Sequence, residues 1–257
     1  MTLKKTFVSV ALIGAATLLL AGCSPAAPGS ASSPAAKPSE SAPAASAQPF
    51  NVGGLLAGNA SPTVDAGEPG KVSVVAEGPL VKPGIGASLL FAFRNNTSAA
   101  ISHVDFSATA RLDGKLVASG ASQGTIPAQV QPGEIGLGYI YFDDSTSMPD
   151  TGLKYEFTAE TLPADTSSYN TAPLKVSEAN NNGSSIVGTA VNKTGKGLTG
   201  PYSVQVYCFE GNDITAQIGG FADQSDDITD NAQVSFTVDL YDTKCDTFAL
   251  GVSGYFK

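Results

Sequence analysis

Few residues in this chain are of the kinds that do chemistry. Gly120-Ala121-Ser122-Gln123-Gly124 has the G-x-S-x-G spacing. At a strand–turn–helix corner that spacing lifts a nucleophilic serine above an α/β sheet, with an acid and a histidine following in the chain. The only histidine, His103, precedes the serine, and the stretch after it, TIPAQVQPGE, carries Pro127 and Pro132. Prolines so placed forbid the required helix, so the spacing is read as chance in a Gly/Ser/Ala-rich region. His103 cannot hold a metal alone and is expected partly exposed at a strand start. The series Gly133, Gly136, Gly138 lies on a predicted strand, with no helix after it to receive a phosphate. Acidic residues gather at Asp143-Asp144 and at Asp223, Asp226, Asp227 and Asp230. Hard cations need several oxygens at short range. As an EF-hand loop, DQSDDITDNAQV lacks the glycine at its sixth position and the glutamate at its twelfth. Two readings stay open there: solvated loop acids, or Ca²⁺ held between strands. No catalytic residue, metal site or cofactor is expected, and the chain is read as not an enzyme.

The three cysteines carry more information. Lys4 and Lys5 are followed by an apolar run from Phe7 to Leu20, which ends in Leu20-Ala21-Gly22-Cys23. About fourteen apolar residues are too few to span a bilayer core comfortably as a helix. The order of basic, apolar and small residues is that of an export signal. Its end resembles the bacterial lipobox, which implies cleavage before Cys23, so that residues 1–22 are a lipoprotein signal peptide and the Cys23 thiol carries diacylglycerol. An added N-acyl chain, such as palmitate, would complete a stable membrane anchor. An ordinary secretory signal, or a single anchor helix with a chance cysteine, is the alternative. With Cys23 set aside, Cys208 and Cys245 remain. In an exported protein an even pair usually forms a disulfide. Two free thiols, or a metal site with further ligands, are the other possibilities.

These residues must be positioned by something, and the rest of the sequence says by what. Ser24 to Pro49 is almost wholly Ala, Pro and Ser. It has no apolar period and cannot bury a core. As extended polyproline-like chain it would reach roughly 80 Å at about 3.1 Å per residue. Residues 23–70 are therefore expected to be a disordered tether, with Leu55 and Leu56 in its last part able to dock. From Lys71 onward, period-two alternation recurs. Leu153, Tyr155, Phe157 and Ala159 share one parity, as do Val234, Phe236, Val238 and Leu240, and Phe248, Leu250, Val252 and Phe256. Such runs are half-buried strands. Further strands are expected at 72–77, 88–95, 103–112, 135–142, 174–178, 185–192, 202–209 and 214–219. Turns are expected at Asp113-Gly114, Pro132-Gly133, Asp150-Thr151-Gly152, Asn182-Gly183 and Glu210-Gly211. No amphipathic helix is visible after the signal.

The strands repeat. Residues 93–115 resemble 191–213 at a shift of 97, which pairs Asn95 with Asn192, Thr97 with Thr194, and Asp113-Gly114 with Glu210-Gly211. The apolar parity breaks under that alignment: Val104, Phe106, Ala108 and Leu112 in the first copy oppose Val204, Val206 and Cys208 in the second. A one-residue slip turns every side chain over, so either one copy carries a bulge or the register is off by one. Two modules follow, 71–163 and 172–257, each with strands enough for a sandwich.

This organisation resembles the FxLYD-type domains of bacterial surface lipoproteins. The likeness rests on Asn95-Asn96-Thr97, Leu112-Asp113-Gly114 and Pro132-Gly133-Glu134 in the first module. In the second it rests on Asn192-Lys193-Thr194 and Phe209-Glu210-Gly211, with Asp230-Asn231-Ala232 where Pro-Gly would fall. Val206-Tyr207-Cys208-Phe209-Glu210 is the nearest counterpart of the eponymous motif. The resemblance implies two tandem immunoglobulin-like β-sandwich domains in an all-β chain, and an accessory or binding role without catalysis.

Net charge is −9, and no Lys/Arg cluster occurs beyond the first five residues. Nucleic acid and anionic lipid surfaces are poor partners for such a chain. The sequence is therefore read as a membrane-anchored lipoprotein on the extracytoplasmic face, a non-catalytic interaction module for an envelope protein or polymer. Capture of a small ligand or cation is the alternative.

Overall fold

The alternating runs fold as strands, and among the described residues there is no helix. The computed structural model describes residues 46–82 and 84–257. The signal segment, Cys23 and the tether up to residue 45 lie outside the described residues. Strand β1 (Ala57–Gly58) is followed by β2 (Val72–Val81), β3 (Ala87–Asn95), β4 (Ile101–Leu112), β5 (Lys115–Ile126), β6 (Gln129–Val130), β7 (Ile135–Phe142) and β8 (Leu153–Pro163). After these come β9 (Thr171–Asn181), β10 (Ser185–Val191), β11 (Leu198–Glu210), β12 (Asp213–Phe221), β13 (Gln233–Asp239) and β14 (Thr247–Phe256).

The strands form two seven-stranded sheets. One runs β2-β3-β7-β5-β4-β6, with β8 also on β4; the other runs β12-β11-β14-β9-β10-β13, with β1 also on β14. Each sheet folds over on itself, because both faces of a flat sheet of this composition could not be kept from water. In the first, β3 and β4 are not hydrogen-bonded neighbours, yet the Phe91 and Phe106 rings stack edge-on at 4.8 Å. β5 makes the fold: its first half pairs with β4 and its second half with β7. In the second sheet β9 does the same, pairing with β14 through Thr171–Leu174 and with β10 beyond. The halves therefore share a plan, with β2-β3-β7 across from β8-β4-β5 and β9-β10-β13 across from β14-β11-β12.

The parity conflict in the repeat is resolved by two bulges of different size. Between Ser102 and Asp105, β4 has one residue more than β8, and His103 takes a left-handed φ of 45° there. Between Thr199 and Ser203, β11 has two residues more than β14. Beyond the bulges the shift is 98, so buried Val104, Phe106, Ala108 and Ala110 match buried Tyr202, Val204, Val206 and Cys208. The hairpin turn Asp113-Gly114 then corresponds to Gly211-Asn212, one residue later than the sequence alignment placed it.

The glycine series also finds its reason. Gly136 and Gly138 of β7 lie opposite Phe93 and Phe91 of β3. A Cβ on either would come within 2.8 Å of the facing ring.

A third apolar cluster joins the two folded sheets. It takes Leu90 and Ala92 from β3, Leu137 from β7, Tyr207 and Phe209 from β11, and Ala249 from β14. Within the segment expected to be tether, residues 46–70 are laid against both sheets. Leu56 is buried in the third cluster, and the Phe50 ring meets Phe209 edge-on at 6.0 Å. β1 pairs with Leu250 and Ala249 of β14, while Gln48 N donates to Gly133 O. Arg94, fully buried, donates to the carbonyls of Gln48, Gly133 and Asp65. The segment is thus a strap, held by one sheet at each of its ends and by the other in between.

Candidate functional site

The residues singled out in the sequence that fall within the described part each have a definite place. Cys208 on β11 and Cys245 in the loop before β14 form a disulfide, with Cα atoms 5.0 Å apart. Both are buried beside the second core. Cys23 lies outside the described residues. Ser122 sits within β5, and its Oγ accepts a hydrogen bond from Phe106 N at 2.9 Å. No nucleophile elbow exists around it, because the stretch continues as strand rather than turning into a helix. The acidic residues are dispersed into local structure. Asp227 pairs with Lys257, which together with a Thr199 hydrogen bond holds its carboxyl below the usual carboxylate range. Asp230 accepts from Gly195 N, and Asp144 from the hydroxyl and N–H of Thr146. Among the described residues, no three His, Cys, Asp or Glu side chains stand together as a metal site.

A feature with no sequence signal distinguishes the two halves. In the second half, β9 and β14 are zipped by the register Leu174 to Thr171 against Val252 to Tyr255. The corresponding strands of the first half, β2 and β8, do not pair. β2 is bonded only to β3, and β8 only to β4. Between their free edges lies an open slot of about 570 Å³, with Val72, Val74 and Glu77 on one side, Phe157 and Ala159 on the other, and Phe106 at its base. β2 is irregular against β3 at Val74–Ala76 and again at Glu77–Leu80. Irregularities of this kind bend a strand, and they lie along the stretch where β2 borders the slot.

The slot has its own electrostatics. Solvent reaches the Glu77 carboxyl, but the protein around it raises its pKa by desolvation. Tyr155, behind the same wall on β8, is pushed up to about 12, by burial first and by the Glu77 charge second. Among the described residues no ion pair involves Glu77. A desolvated carboxylate without a cation is electrostatically unsatisfied, and a Lys or Arg from outside would relieve it. The arrangement offers two free strand edges, an apolar floor, the Lys71–Glu68 ion pair at its rim and one acidic group, Glu77, outside any ion pair among the described residues. It holds no nucleophile–base pair.

A larger cleft of about 620 Å³ lies beside Cys245, lined by Asn59, Asn181, Lys244 and Asp246 among others. Its amides are already engaged: Asn59 donates to Asp246 O, Asn181 donates to Cys245 O, and Lys244 pairs with Glu210. These contacts knit the strap and the disulfide loop together.

No protein-family model matches this chain, and comparison with curated protein sequences finds no significant match.

Proposed function

We propose that this is a lipid-anchored protein of the bacterial envelope, held at the extracytoplasmic face through Cys23, and that it works as a non-catalytic binding module. We read its two halves as immunoglobulin-like sandwiches of the FxLYD type; three strands packed across three others in each half support that reading. The observation that carries the function is the unzipped edge between β2 and β8. An extended segment of a partner protein laid there would gain backbone hydrogen bonds from a free edge and set alternate side chains on Phe106 and Phe157. A basic residue in that segment would meet Glu77. Strand addition needs an unpaired edge beside an apolar floor, and in this chain the slot offers both.

The test is site-specific photo-crosslinking in intact envelopes, using the full-length lipidated protein. The crosslinker is placed at Thr158 or Thr161 in the slot and, as control, at exposed Thr237 on β13. The expected result is a discrete protein adduct from the slot positions alone. Adducts no different from those at Thr237, or adducts to glycan only, would reject partner capture by strand addition. Membrane attachment is tested separately by Cys23→Ala, which should move the protein to the soluble fraction. Retention of that variant after detergent-free washing would rule out the lipid anchor.

A further inference from the structure

A third concavity lies where the first folded sheet meets the second, and its chemistry differs from that of the slot. The groove, about 340 Å³, has its floor on the outward face of β11, β12 and β14 and its wall on β4 and β5. Phe221 closes one end with 63% of its surface exposed, and Tyr255 flanks the other with 38% exposed. Exposed apolar groups gathered at one place mark an interaction site, whereas single scattered ones do not. The register fixes their relation. Phe221 lies opposite Ser203, Ser203 lies opposite Ser253, and Tyr255 is two residues further along β14. Two strand spacings across and two residues along put their backbone positions about 12 Å apart.

Between the rings the lining is polar and carries a single acidic side chain. Ser203 and Ser253 supply hydroxyls, Gln123 and Gln205 supply amides, and Asp105 supplies the carboxylate. Among the described residues, no Lys or Arg lines the groove. An anionic ligand would therefore find no counter-charge, and a purely apolar one would bury unsatisfied amides. The central floor strand β11 offers an added peptide strand no edge, since it is paired on both sides, with β12 and with β14. A ligand that presents many hydroxyls with apolar ring faces between them matches both the amides and the rings.

The wall is built to present its polar groups. β4 is bulged at His103 and β5 at Gln123-Gly124, the residues that border the groove. A bulge re-aims a side chain out of the regular alternation. Ser102 Oγ lies 3.1 Å from His103 Nδ1, which steadies the ring and leaves its Nε2 edge for a ligand. Gln205 accepts from the buried Tyr207 hydroxyl at 3.4 Å, which leaves its amide nitrogen free to donate. Gly124 beside it has a φ of 96°, a backbone conformation that favours glycine.

We infer that this groove binds a short stretch of uncharged polysaccharide. Sugar ring faces stack on Phe221 and Tyr255, and the hydroxyls are read by Gln123, Gln205, Asp105 and His103. The site is independent of the slot, so either can fail alone.

The test is calorimetric titration of the full-length protein in detergent with three defined probes: chitotetraose, cellotetraose and, as anionic control, tetragalacturonate. The expected result is saturable binding of a neutral tetrasaccharide. Phe221→Ala and Tyr255→Ala should each weaken it at least tenfold. Tyr241→Ala, which removes a still more exposed ring outside the groove, should leave it unchanged. Phe221 is exposed, so its variant should keep the native Tm and report on binding alone. No binding of either neutral probe at millimolar concentration would overturn the inference. So would preference for the anionic probe, or affinity that survives both aromatic substitutions.

Discussion

Asn95 and Asn192 stand at the same point of the two halves, and each side chain makes the same four hydrogen bonds. Asn95 donates to Ala99 O and Val130 O and accepts from the N–H and hydroxyl of Thr97. Asn192 donates to Lys196 O and Thr229 O and accepts from the N–H and hydroxyl of Thr194. Both are fully buried. The side chain therefore does what no backbone group can do there: it closes the turn after its own strand and ties it to the turn before the next strand in the sheet. Those later turns also match, with Gly133 and Asn231 both left-handed and both donating to the asparagine carbonyl. The repeat is thus one device used twice, and Asn-x-Thr is its visible part.

Either asparagine replaced by alanine should leave two carbonyls and one N–H without their side-chain partner, with Val130 O buried and the others partly open to solvent. At about 1–3 kcal/mol for each group left without a partner, partly relieved by water, a loss of about 2–4 kcal/mol is expected. For a domain of this size that is a fall in Tm of about 5–10 °C. Asn→Asp keeps the acceptor and loses both donors, so it should rescue little. Thermal melts of the four variants check this, and near-native Tm for Asn95→Ala and Asn192→Ala would show that the networks are dispensable.

Arg94 gives the second prediction. Its guanidinium holds three carbonyls, and burial lowers its pKa while leaving it charged, without a carboxylate partner in any ion pair among the described residues. Arg94→Met should free the strap from the first sheet and expose residues around Gln48 and Asp65 to protease. Arg94→Lys should behave like Met rather than like the native protein, because a point ammonium cannot reproduce a planar fork. Limited proteolysis with mass mapping is the measurement. An uncut strap in both variants would mean that β1 and Leu56 suffice to hold it.

Most strands were readable because one face of each is buried and the alternation survives in the sequence. β5 was not, because KLVASGASQGTI is mostly exposed along its length and carries little apolar period. The strap was not readable either: Phe50, Leu56 and Val64 are spaced by no regular period, and what fixes them is a buried arginine far along the chain. The disulfide was accessible to arithmetic once Cys23 was set aside. The slot and the groove had no sequence signal. Whether β2 zips to β8 depends on how each strand bends, and the groove exists only because two sheets meet.

The slot predicts a pH dependence. The Glu77 pKa is raised in the folded protein, so the unfolded chain gives up that proton first as pH rises. Stability associated with Glu77 is therefore fully present below the ordinary carboxylate range and is lost as pH climbs through the folded value. Glu77→Gln should raise Tm at pH 7 and leave it unchanged near pH 3, where the native carboxyl is already protonated. Melts across that range check the sign. A Gln variant less stable at pH 7 would show that the carboxylate has a stabilising partner.

The disulfide is expected to matter for stability rather than for chemistry. It joins residues 37 apart in sequence, which in the chain-entropy model contributes about 3–4 kcal/mol. Cys208→Ser with Cys245→Ser should lower the denaturation midpoint accordingly. Peptide mapping without reduction should recover the linked pair, and full alkylation of both thiols in the native protein would refute it.

The aromatic–glycine pairs yield a prediction about where strain can relax. Phe91 of β3 lies opposite Gly138 of β7, whereas in the second half the order is inverted, with Gly188 of β10 opposite Phe236 of β13. In each case a ring fills the space a Cβ would need. A Cβ at Gly138 would meet Phe91 Cζ at 2.8 Å and then Thr125 Cγ2 at 3.1 Å, both side-chain atoms. A Cβ at Gly188 would meet the backbone oxygen of Glu178 at 2.2 Å before it met the Phe236 ring. Overpacking a core costs about 1–3 kcal/mol where side chains can shift, and more where the obstacle is backbone. Gly188→Ala should therefore destabilise more than Gly138→Ala. Adding Phe91→Leu should recover part of the Gly138→Ala loss, while Phe236→Leu should recover none of the Gly188→Ala loss. Denaturant unfolding of the two double-mutant cycles decides it, and equal rescue in both halves would locate the strain in the rings instead of in the β9–β10 backbone.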